Sequence, residues 1–306
     1  MTCQSRPCEL PPQRAGFHLI FKARRAMFPR MQNGQTNTEY CRAMVREDDI
    51  ERYYSALFAP SQHQADLWAL YAFNQEVAKT RESVSEPMIG EIRLQWWREA
   101  LEGIRAGTPR EHPVVQALAD IDNIKQISPN LQEVIDGRAQ DLYGEGDASF
   151  DALKTYAEQT GGALSVAGGL ILAPQADQET LKALHASGSA WAMLGIIRAL
   201  PFQLNDTKEF SVLGELGQSL SGLKSSEMAE KLQPMVNEMT AYVTDQLEAS
   251  RTAGAVRAVK PVLALNSLSG KHLSALKRAS GNPFDMQGHE IGNLGRLFTL
   301  LRYHLF

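Results

Sequence analysis

The sequence has few cysteines and no long hydrophobic run. Its three cysteines, Cys3, Cys8 and Cys41, all lie near the amino terminus and form no C-x-x-C pair. An odd set without such a pair argues against a disulfide framework and indicates a reducing compartment, and we expect none of the three in the core. No apolar run approaches the roughly 20 residues that span a bilayer, so we expect a soluble or peripheral protein.

Excess positive charge and paired histidines are also lacking. The formal net charge is -4 and the isoelectric point is near 6.0, which argues against a nucleic-acid-binding protein. The histidines, among them His63, His112, His185 and His289, include no pair three or four residues apart. A zinc site is therefore not expected, and we assign no metal ligands.

Strand-like alternation of apolar and polar residues is almost absent from Arg46 onward, where nearly every segment follows the helical period. The pattern predicts an all-α domain over 46–306, with breaks at prolines such as Pro60, Pro129 and Pro174. The Gly- and Ser-rich piece 205–226 is expected to be a long loop. The predicted helices span 47–59, 62–84, 87–106, 113–124, 129–143, 149–172, 177–203, 225–249, 254–280 and 288–305.

The amino terminus carries local positive charge. Residues 1–45 are rich in arginine and poor in acids, and we interpret them as a flexible basic extension. Three interpretations of this extension stay open: a mitochondrial-type presequence, a membrane-surface segment, or residues upstream of a true start at Met31. Prolines such as Pro7 and Pro29 argue against a long helix in it.

Small residues cluster in two of the predicted helices. A glycine inside a helix costs about 1 kcal/mol relative to alanine, so such clusters indicate a packing or a cavity reason. One interpretation is close contact between helices, and the other is a tunnel wall beside a long apolar ligand. The clustered residues are Gly161, Gly162, Ala163, Ala167, Gly168 and Gly169 in one helix, and Ala186, Gly188, Ala190, Ala192 and Gly195 in the other.

Six segments together resemble the squalene/phytoene synthase family. They are YYSALFAP, ALYAFNQEV, EIRLQWWREAL, DGRAQDL, FDALKTYAEQTGGAL and GIIRALPFQL, and they occur in the family's order and spacing from about Arg46 to Gln203. The string SEPMIGEIRLQWWREAL is most similar to the branch of complex I assembly factors, mitochondrial and alphaproteobacterial. The resemblance implies an isoprenoid-synthase-type helical bundle around a central cavity.

In active members of that family, two acidic motifs hold Mg²⁺ ions that bind the substrate diphosphate. At the matching positions of the first motif this chain has Ala78, Lys79 and Glu82, and in the second motif Ala199 and Gln203 replace the aspartates. The resemblance therefore implies that both motifs are degenerate. No cofactor is expected, and Mg²⁺ is implied only if the chain is an enzyme after all.

Basic residues near these motifs offer a different chemistry. Lys79, Arg81 and Arg198 can bind a phosphate without metal or can form salt bridges, and both interpretations stay open. The two carboxylates of DGRAQDLY either line the cavity mouth or form internal ion pairs with arginines. The candidate cavity or ligand-binding residues are Tyr71, Asn74, Arg81, Asp136, Asp141, Gly161, Gly162 and Arg198.

A dense cluster of large side chains follows in EIRLQWWREAL. Arg93, Trp96 and Trp97 lie on adjacent turns of one helix face. Either the tryptophans are buried in the core, or the cluster faces a partner, since Trp and Arg are over-represented among interface hot spots. The candidate partner-binding residues are Glu91, Arg93, Trp96, Trp97 and Arg98.

Three functions follow from the resemblance. The first is a non-catalytic protein that acts in assembly of respiratory complex I, with complex I subunits or assembly intermediates as partners. The alternative is a head-to-head prenyl diphosphate transferase, and a further alternative is a protein that binds a prenyl lipid or a quinone. We expect no nucleic-acid partner and a peripheral membrane contact. The expected location is the cytoplasm beside the inner membrane in a bacterium, or the mitochondrial matrix or inner membrane in a eukaryote.

Overall fold

Every regular element in the described part of the chain is a helix, which confirms the predicted all-α class. The computed structural model describes residues 34–84, 86–142, 149–205, 219–220, 222–251 and 257–305. The helices include α1 (Asn37–Asp48), α2 (Ile50–Leu57), α3 (Ser61–Ala78), α4 (Thr80–Ser83), α5 (Pro87–Ala106), α6 (Pro113–Ala119), α7 (Ile124–Ala139), α8 (Phe150–Ala157), α9 (Ala163–Leu172), α10 (Gln178–Asn205), α11 (Ser225–Ala249), α12 (Lys260–Leu263), α13 (Leu265–Arg278) and α14 (Asn293–Leu305).

Shorter segments complete the description. The 3-10 turns Gln140–Leu142, Arg257–Val259 and Met286–His289 flank the longer helices, and a π-helical segment, Glu158–Gly162, joins α8 to α9. None of the helices in the described ranges is both long and apolar enough to cross a membrane. Most of the predicted loop 205–226 lies outside the described residues, as do residues 1–33 of the predicted extension.

Helix α1 begins inside the segment that we expected to be an extension. Thr36 caps it, since the Thr36 side chain accepts from the Glu39 amide while the Glu39 carboxylate accepts from the Thr36 amide. Tyr40, Cys41 and Val45 are buried against α3 and α6. The boundary at residues 45 and 46 is therefore wrong for this helix, and so is the expectation that Cys41 lies outside the core.

Helix α7 contains the proline that was expected to precede it. α7 begins at Ile124 and continues through Pro129, so the predicted break there is wrong. Proline removes one backbone hydrogen bond. Ile127 and Leu131 on either side are fully buried, and their packing outweighs the local propensity.

The core is divided between two large clusters of apolar side chains. The first joins α1, α3, α5, α6, α7 and α9, and the second joins α8, α10, α11 and α13. Helix α10 packs against α8, α9, α11 and α13. It therefore links the two clusters and carries the second of the degenerate motifs through the middle of the molecule.

Candidate functional site

The first degenerate motif lies where α3 ends. Ala78 is the last residue of α3, Lys79 follows it, and Glu82 belongs to the separate short helix α4, where it is exposed. The Lys79 ammonium lies 2.5 Å from the Asp48 carboxylate at the end of α1. Because of the break, the three positions do not lie on one face of a single helix. The Lys79 side chain forms a salt bridge to α1 instead.

The second degenerate motif holds its arginine in a buried ion-pair cluster. The Arg198 guanidinium lies 3.3 Å from Glu51 of α2 and 3.0 Å from Glu290, which precedes α14. Glu51 also lies 2.9 Å from His272 Nε2 and 3.0 Å from Arg296 Nε. We call Glu51, Arg198, His272, Glu290 and Arg296 the Glu51 cluster.

Both carboxylates of the Glu51 cluster stay ionised. Burial alone would raise the pKa of Glu51, but Arg198, His272 and Arg296 outweigh it and hold that pKa well below its ordinary value. Burial likewise opposes ionisation of Glu290, and His272 and Arg198 lower its pKa below the ordinary value. The two carboxylates therefore neutralise the two guanidiniums, and Arg198 forms salt bridges instead of presenting a free charge to a phosphate.

A second buried network surrounds Asp141. The Tyr156 hydroxyl donates to Asp141 Oδ2 at 2.9 Å, Arg138 donates to the Tyr156 hydroxyl, and the Arg138 guanidinium lies 3.5 Å from the carboxylate. Burial raises the pKa of Asp141, although Arg138 and Tyr156 oppose the shift, and Arg81 acts on the same carboxylate through its charge. The interpretation of Asp141 as a member of an internal ion pair therefore fits the structure.

Asp136 lies elsewhere, on the surface. Its carboxylate accepts from Arg98 at 2.8 Å and from Gln132 at 3.1 Å, which connects α7 to α5. A spacing of five residues turns Asp136 and Asp141 to different sides of a helix. Asp136 therefore belongs to an ion pair at the surface, and its place at a cavity mouth stays a prediction.

The glycines of the π-helical segment serve close packing. A Cβ atom on Gly161 would lie 2.5 Å from the Ala192 Cβ and closer still to the Gly188 carbonyl oxygen, and one on Gly162 would lie 2.7 Å from His185 and Ser189. Real Cβ atoms do not approach other atoms so closely, so these positions have no space for a ligand. At Gly161 and Gly162 the structure therefore fits the close-contact interpretation and leaves no room for a tunnel wall.

A small cavity lies beside Tyr71. Arg52, Tyr71, Ser165 and Ser187 are among the residues around it, and its volume of about 10 Å³ is room for roughly one water molecule. Burial raises the pKa of Tyr71 to about 12, and the Arg52 guanidinium lies 5.7 Å from its ring centroid. Tyr71 therefore lines a small cavity in which a prenyl chain has no space, and its role in binding a ligand stays a prediction. Asn74 is buried one turn further along α3.

Part of the predicted partner-binding cluster belongs to the core. Trp97 is fully buried with its ring centroid 5.4 Å from that of Phe73, and Arg93 pairs with buried Glu76 at 2.9 Å. The partner-facing interpretation is wrong for these two residues because their helix face points inward. The cluster residues that retain surface exposure are Glu91, Trp96 and Arg98.

Similarity to known proteins assigns the chain to a family. A sequence profile described as squalene/phytoene synthase matches residues 45–294, which is most of the chain. The chain belongs to the squalene/phytoene synthase family. This confirms the resemblance seen in the six sequence segments.

Curated relatives of this squalene/phytoene synthase family member include complex I assembly factors. The chain is 31% identical over 175 residues to the Mus musculus protein named NADH dehydrogenase (ubiquinone) complex I, assembly factor 6, with 56% of this chain and 51% of that protein covered. The Homo sapiens protein of the same name is 30% identical over 178 residues, with the same coverage. The 15-cis-phytoene synthase of Synechocystis is 24% identical over 137 residues, with 44% of this chain and 40% of that protein covered. The chain spans about half the length of the curated relatives it matches.

Solved structures with a similar fold are synthases. A dehydrosqualene synthase superposes with a TM-score of 0.67 at 13% identity and covers 87% of this chain and 95% of that one. A squalene synthase from Alicyclobacillus acidocaldarius superposes with a TM-score of 0.63 at 17% identity and covers 81% and 95%. At such identities the likeness shows the fold alone, and it confirms the isoprenoid-synthase-type bundle.

The residues at the two motif positions do not fit the Mg²⁺ that the family's chemistry implies. Mg²⁺ takes carboxylate and phosphate oxygens, whereas the positions hold Ala78, Lys79, Ala199 and Gln203, and Glu82 is exposed. Among the described residues, no group of three or more His, Cys, Asp or Glu side chains is placed to hold a metal ion. The Glu51 cluster was missed by sequence reasoning because its members come from distant segments, and no spacing rule connects Glu51 to an arginine 147 residues later.

Proposed function

We propose that the chain is a non-catalytic member of the squalene/phytoene synthase family that acts in the assembly of respiratory complex I. One observation carries the proposal: Arg198, which the second motif retains, is bound by Glu51 and Glu290 in a buried cluster instead of facing a substrate. The aspartates of that motif are replaced by Ala199 and Gln203. The motif helix thus has a structural role in this chain.

The physical argument against turnover has two parts. Ionisation of a prenyl diphosphate leaves negative charge that must be stabilised by metal ions or by free cationic groups. Lys79 and Arg198 are neutralised by carboxylates, and the cavity beside Tyr71, with a volume of about 10 Å³, is too small to shelter a carbocation. That cavity is also too small for a prenyl lipid or a quinone.

The argument for complex I assembly comes from the relatives. The human and mouse proteins, which match this chain over about half of their length, are named complex I assembly factor 6. This chain has the scaffold of the synthase family, but its motif positions lack the acids. A scaffold without the chemistry leaves its surface as the functional part, and the half-buried residues Glu91, Trp96 and Arg98 of the α5 cluster form the surface we assign to a protein partner.

A direct assay tests the non-catalytic part. Purified full-length protein is incubated with farnesyl or geranylgeranyl diphosphate and Mg²⁺, and released diphosphate is measured. We expect release no higher than in the blank without protein. Release above that blank, abolished by Glu82→Gln at the remaining motif carboxylate, would establish the prenyltransferase alternative instead.

A genetic experiment tests the assembly part. Deletion of the gene in its own organism is expected to lower the amount of assembled complex I and its NADH–quinone activity. Wild-type protein and Glu82→Gln are expected to restore both equally, whereas Glu91→Lys with Arg98→Glu is expected to restore neither while being expressed at the wild-type level. Normal complex I in the deletion strain would contradict the proposal.

A further inference from the structure

Helix α14 exposes a continuous row of large apolar side chains. Its opposite face is fixed to the domain, since Leu300 and Arg296 are buried and the His304 ring stacks on Phe58 at 4.3 Å between centroids. The outward residues recur at three- and four-residue intervals, which places them on one side of the helix. They are Leu294, Leu297, Phe298, Leu301 and Leu305.

Positive charge surrounds this row. A groove of about 590 Å³ between α12, α13 and α14 is lined by Lys260, Lys271, Phe298, Arg302 and Tyr303, among other residues. The segments 257–278 and 291–305 contain no Asp or Glu, although the whole chain has a net charge of -4. Their basic residues outside the Glu51 cluster are Arg257, Lys260, Lys271, Lys277, Arg278 and Arg302.

We infer that this surface binds an anionic phospholipid bilayer. We call it the α14 face and define it by the five outward apolar residues together with Lys260, Lys271 and Arg302. An amphipathic helix with a basic border lies in the membrane interface, with its apolar side chains among the acyl chains and its cations at the lipid phosphates. The long stems of lysine and arginine suit this border because they reach from apolar surroundings to the headgroups.

Charge decides between a bilayer and two other occupants. A second copy of the chain would bring two basic faces together, which costs energy by like-charge repulsion. The same repulsion opposes covering by residues 1–33, since that part of the sequence contains a single acid, Glu9. Its basic residues are Arg6, Arg14, Lys22, Arg24, Arg25 and Arg30. An anionic lipid surface is complementary to the face in both charge and apolarity.

Sedimentation of the full chain with vesicles tests the inference. The vesicles consist of phosphatidylcholine alone or with about 30% phosphatidylglycerol, and we expect binding at least about tenfold tighter to the anionic vesicles. Raising the salt concentration is expected to weaken it because the charges are screened. Leu294→Gln with Phe298→Gln, and separately Lys271→Glu with Arg302→Glu, are each expected to reduce binding about tenfold or more.

Helix α5 supplies a matched control. Met88 is 73% exposed and Ile92 is 66% exposed, compared with 73% for Leu294 and 68% for Phe298. The α5 pair lies near Glu86 and Glu91 in the sequence, and the adjacent Arg93 is buried in an ion pair with Glu76. Met88→Gln with Ile92→Gln is therefore expected to bind anionic vesicles like the wild type.

Three outcomes would overturn the inference. One is wild-type protein that does not bind anionic vesicles. Another is a loss of binding that is equal in the α14 and the α5 variants, or absent in both. The third is a wild-type dimer that Leu294→Gln with Phe298→Gln converts to a monomer, which would assign the face to a second copy. Circular dichroism and thermal unfolding establish that each variant is folded before its binding is compared.

Discussion

His112 is a buried histidine enclosed by aromatic rings. Its ring centroid lies 5.4 Å from those of both Trp96 and Trp97, in edge-to-face geometry. Burial, together with the nearby charge of Arg93, lowers the pKa of His112 to about 4. The imidazole therefore stays neutral in the folded protein at pH values where an exposed histidine begins to take up a proton.

The pH dependence of stability follows from that shift. An unfolded chain protonates a histidine near pH 6.5, so the contribution of His112 is present above that pH and is lost as the pH falls toward 4. Between pH 7 and pH 5 we expect this residue to account for a loss of about 2 kcal/mol in the free energy of unfolding. Urea titrations at the two pH values measure it.

His112→Phe keeps a ring in the same place and removes the titrating group. This variant is expected to lose less stability than the wild type between pH 7 and pH 5. His289→Gln, which changes an exposed histidine, is expected to follow the wild type. An identical loss in His112→Phe and the wild type would contradict the role given to His112.

The sequence predicted which large residues share α5 but not which of them are inside. Arg93 and Trp97 are four residues apart and share a face, as the helical period requires. Large side chains occur on the neighbouring face as well, so the period alone does not identify the buried side. The partner of Arg93, Glu76, lies on another helix. Only the tertiary arrangement shows that the two residues neutralise each other in the core.

At the scale of the helix, two glycines of α10 have opposite surroundings. A Cβ atom on Gly188 would lie 2.6 Å from the Ser165 Cβ and closer still to the Gly161 carbonyl oxygen, whereas a Cβ atom on Gly195 would meet nothing within 4 Å. Both positions lie within one continuous helix. The pair therefore separates the cost of close contact from the general cost of glycine in a helix.

Alanine at these two positions is expected to act in opposite directions. Gly188→Ala must push α10 away from the π-helical segment, and we expect a loss of about 1–3 kcal/mol in the free energy of unfolding. Gly195→Ala is expected to stabilise the protein by about 0.5–1 kcal/mol because alanine is the better helix former. Chemical denaturation measures both values. A neutral Gly188→Ala would show that the two segments can separate without cost.

Helix ends were predictable where local chemistry marks them. The predicted bounds 87–106 are observed for α5, because Pro87 occupies its first turn and Gly107 takes the left-handed conformation after it. The bounds 225–249 are observed for α11. By contrast, the predicted helix 62–84 is divided at Lys79. No glycine or proline marks this break in the sequence, and the Lys79 side chain forms an ion pair with Asp48 there.

At the scale of the whole molecule, the Glu51 cluster ties distant parts of the chain together. Glu51 belongs to α2, Arg198 to α10 and His272 to α13, while Arg296 fixes α14. A buried ion pair contributes little net stability when it is complete, but loss of one partner leaves an uncompensated buried charge. The cluster therefore determines how these helices fit together.

Removal of one cluster carboxylate tests this role. Glu51→Gln keeps the shape of the side chain and leaves Arg198 and Arg296 with a single carboxylate, so we expect a loss of about 3–5 kcal/mol in the free energy of unfolding. Asp136→Asn breaks an exposed pair with Arg98 and is expected to cost less than about 1 kcal/mol. Equal losses for the two variants in guanidinium denaturation would contradict the structural role of the cluster.

The small cavity beside Tyr71 also affects the response of the fold to hydrostatic pressure. Pressure favours the unfolded state of a protein in proportion to the internal void volume that unfolding eliminates. The cavity beside Tyr71 has a volume of only about 10 Å³, so its elimination on unfolding adds little to the volume change. Enlarging it, for example with Tyr71→Ala, would therefore increase the sensitivity of the fold to pressure.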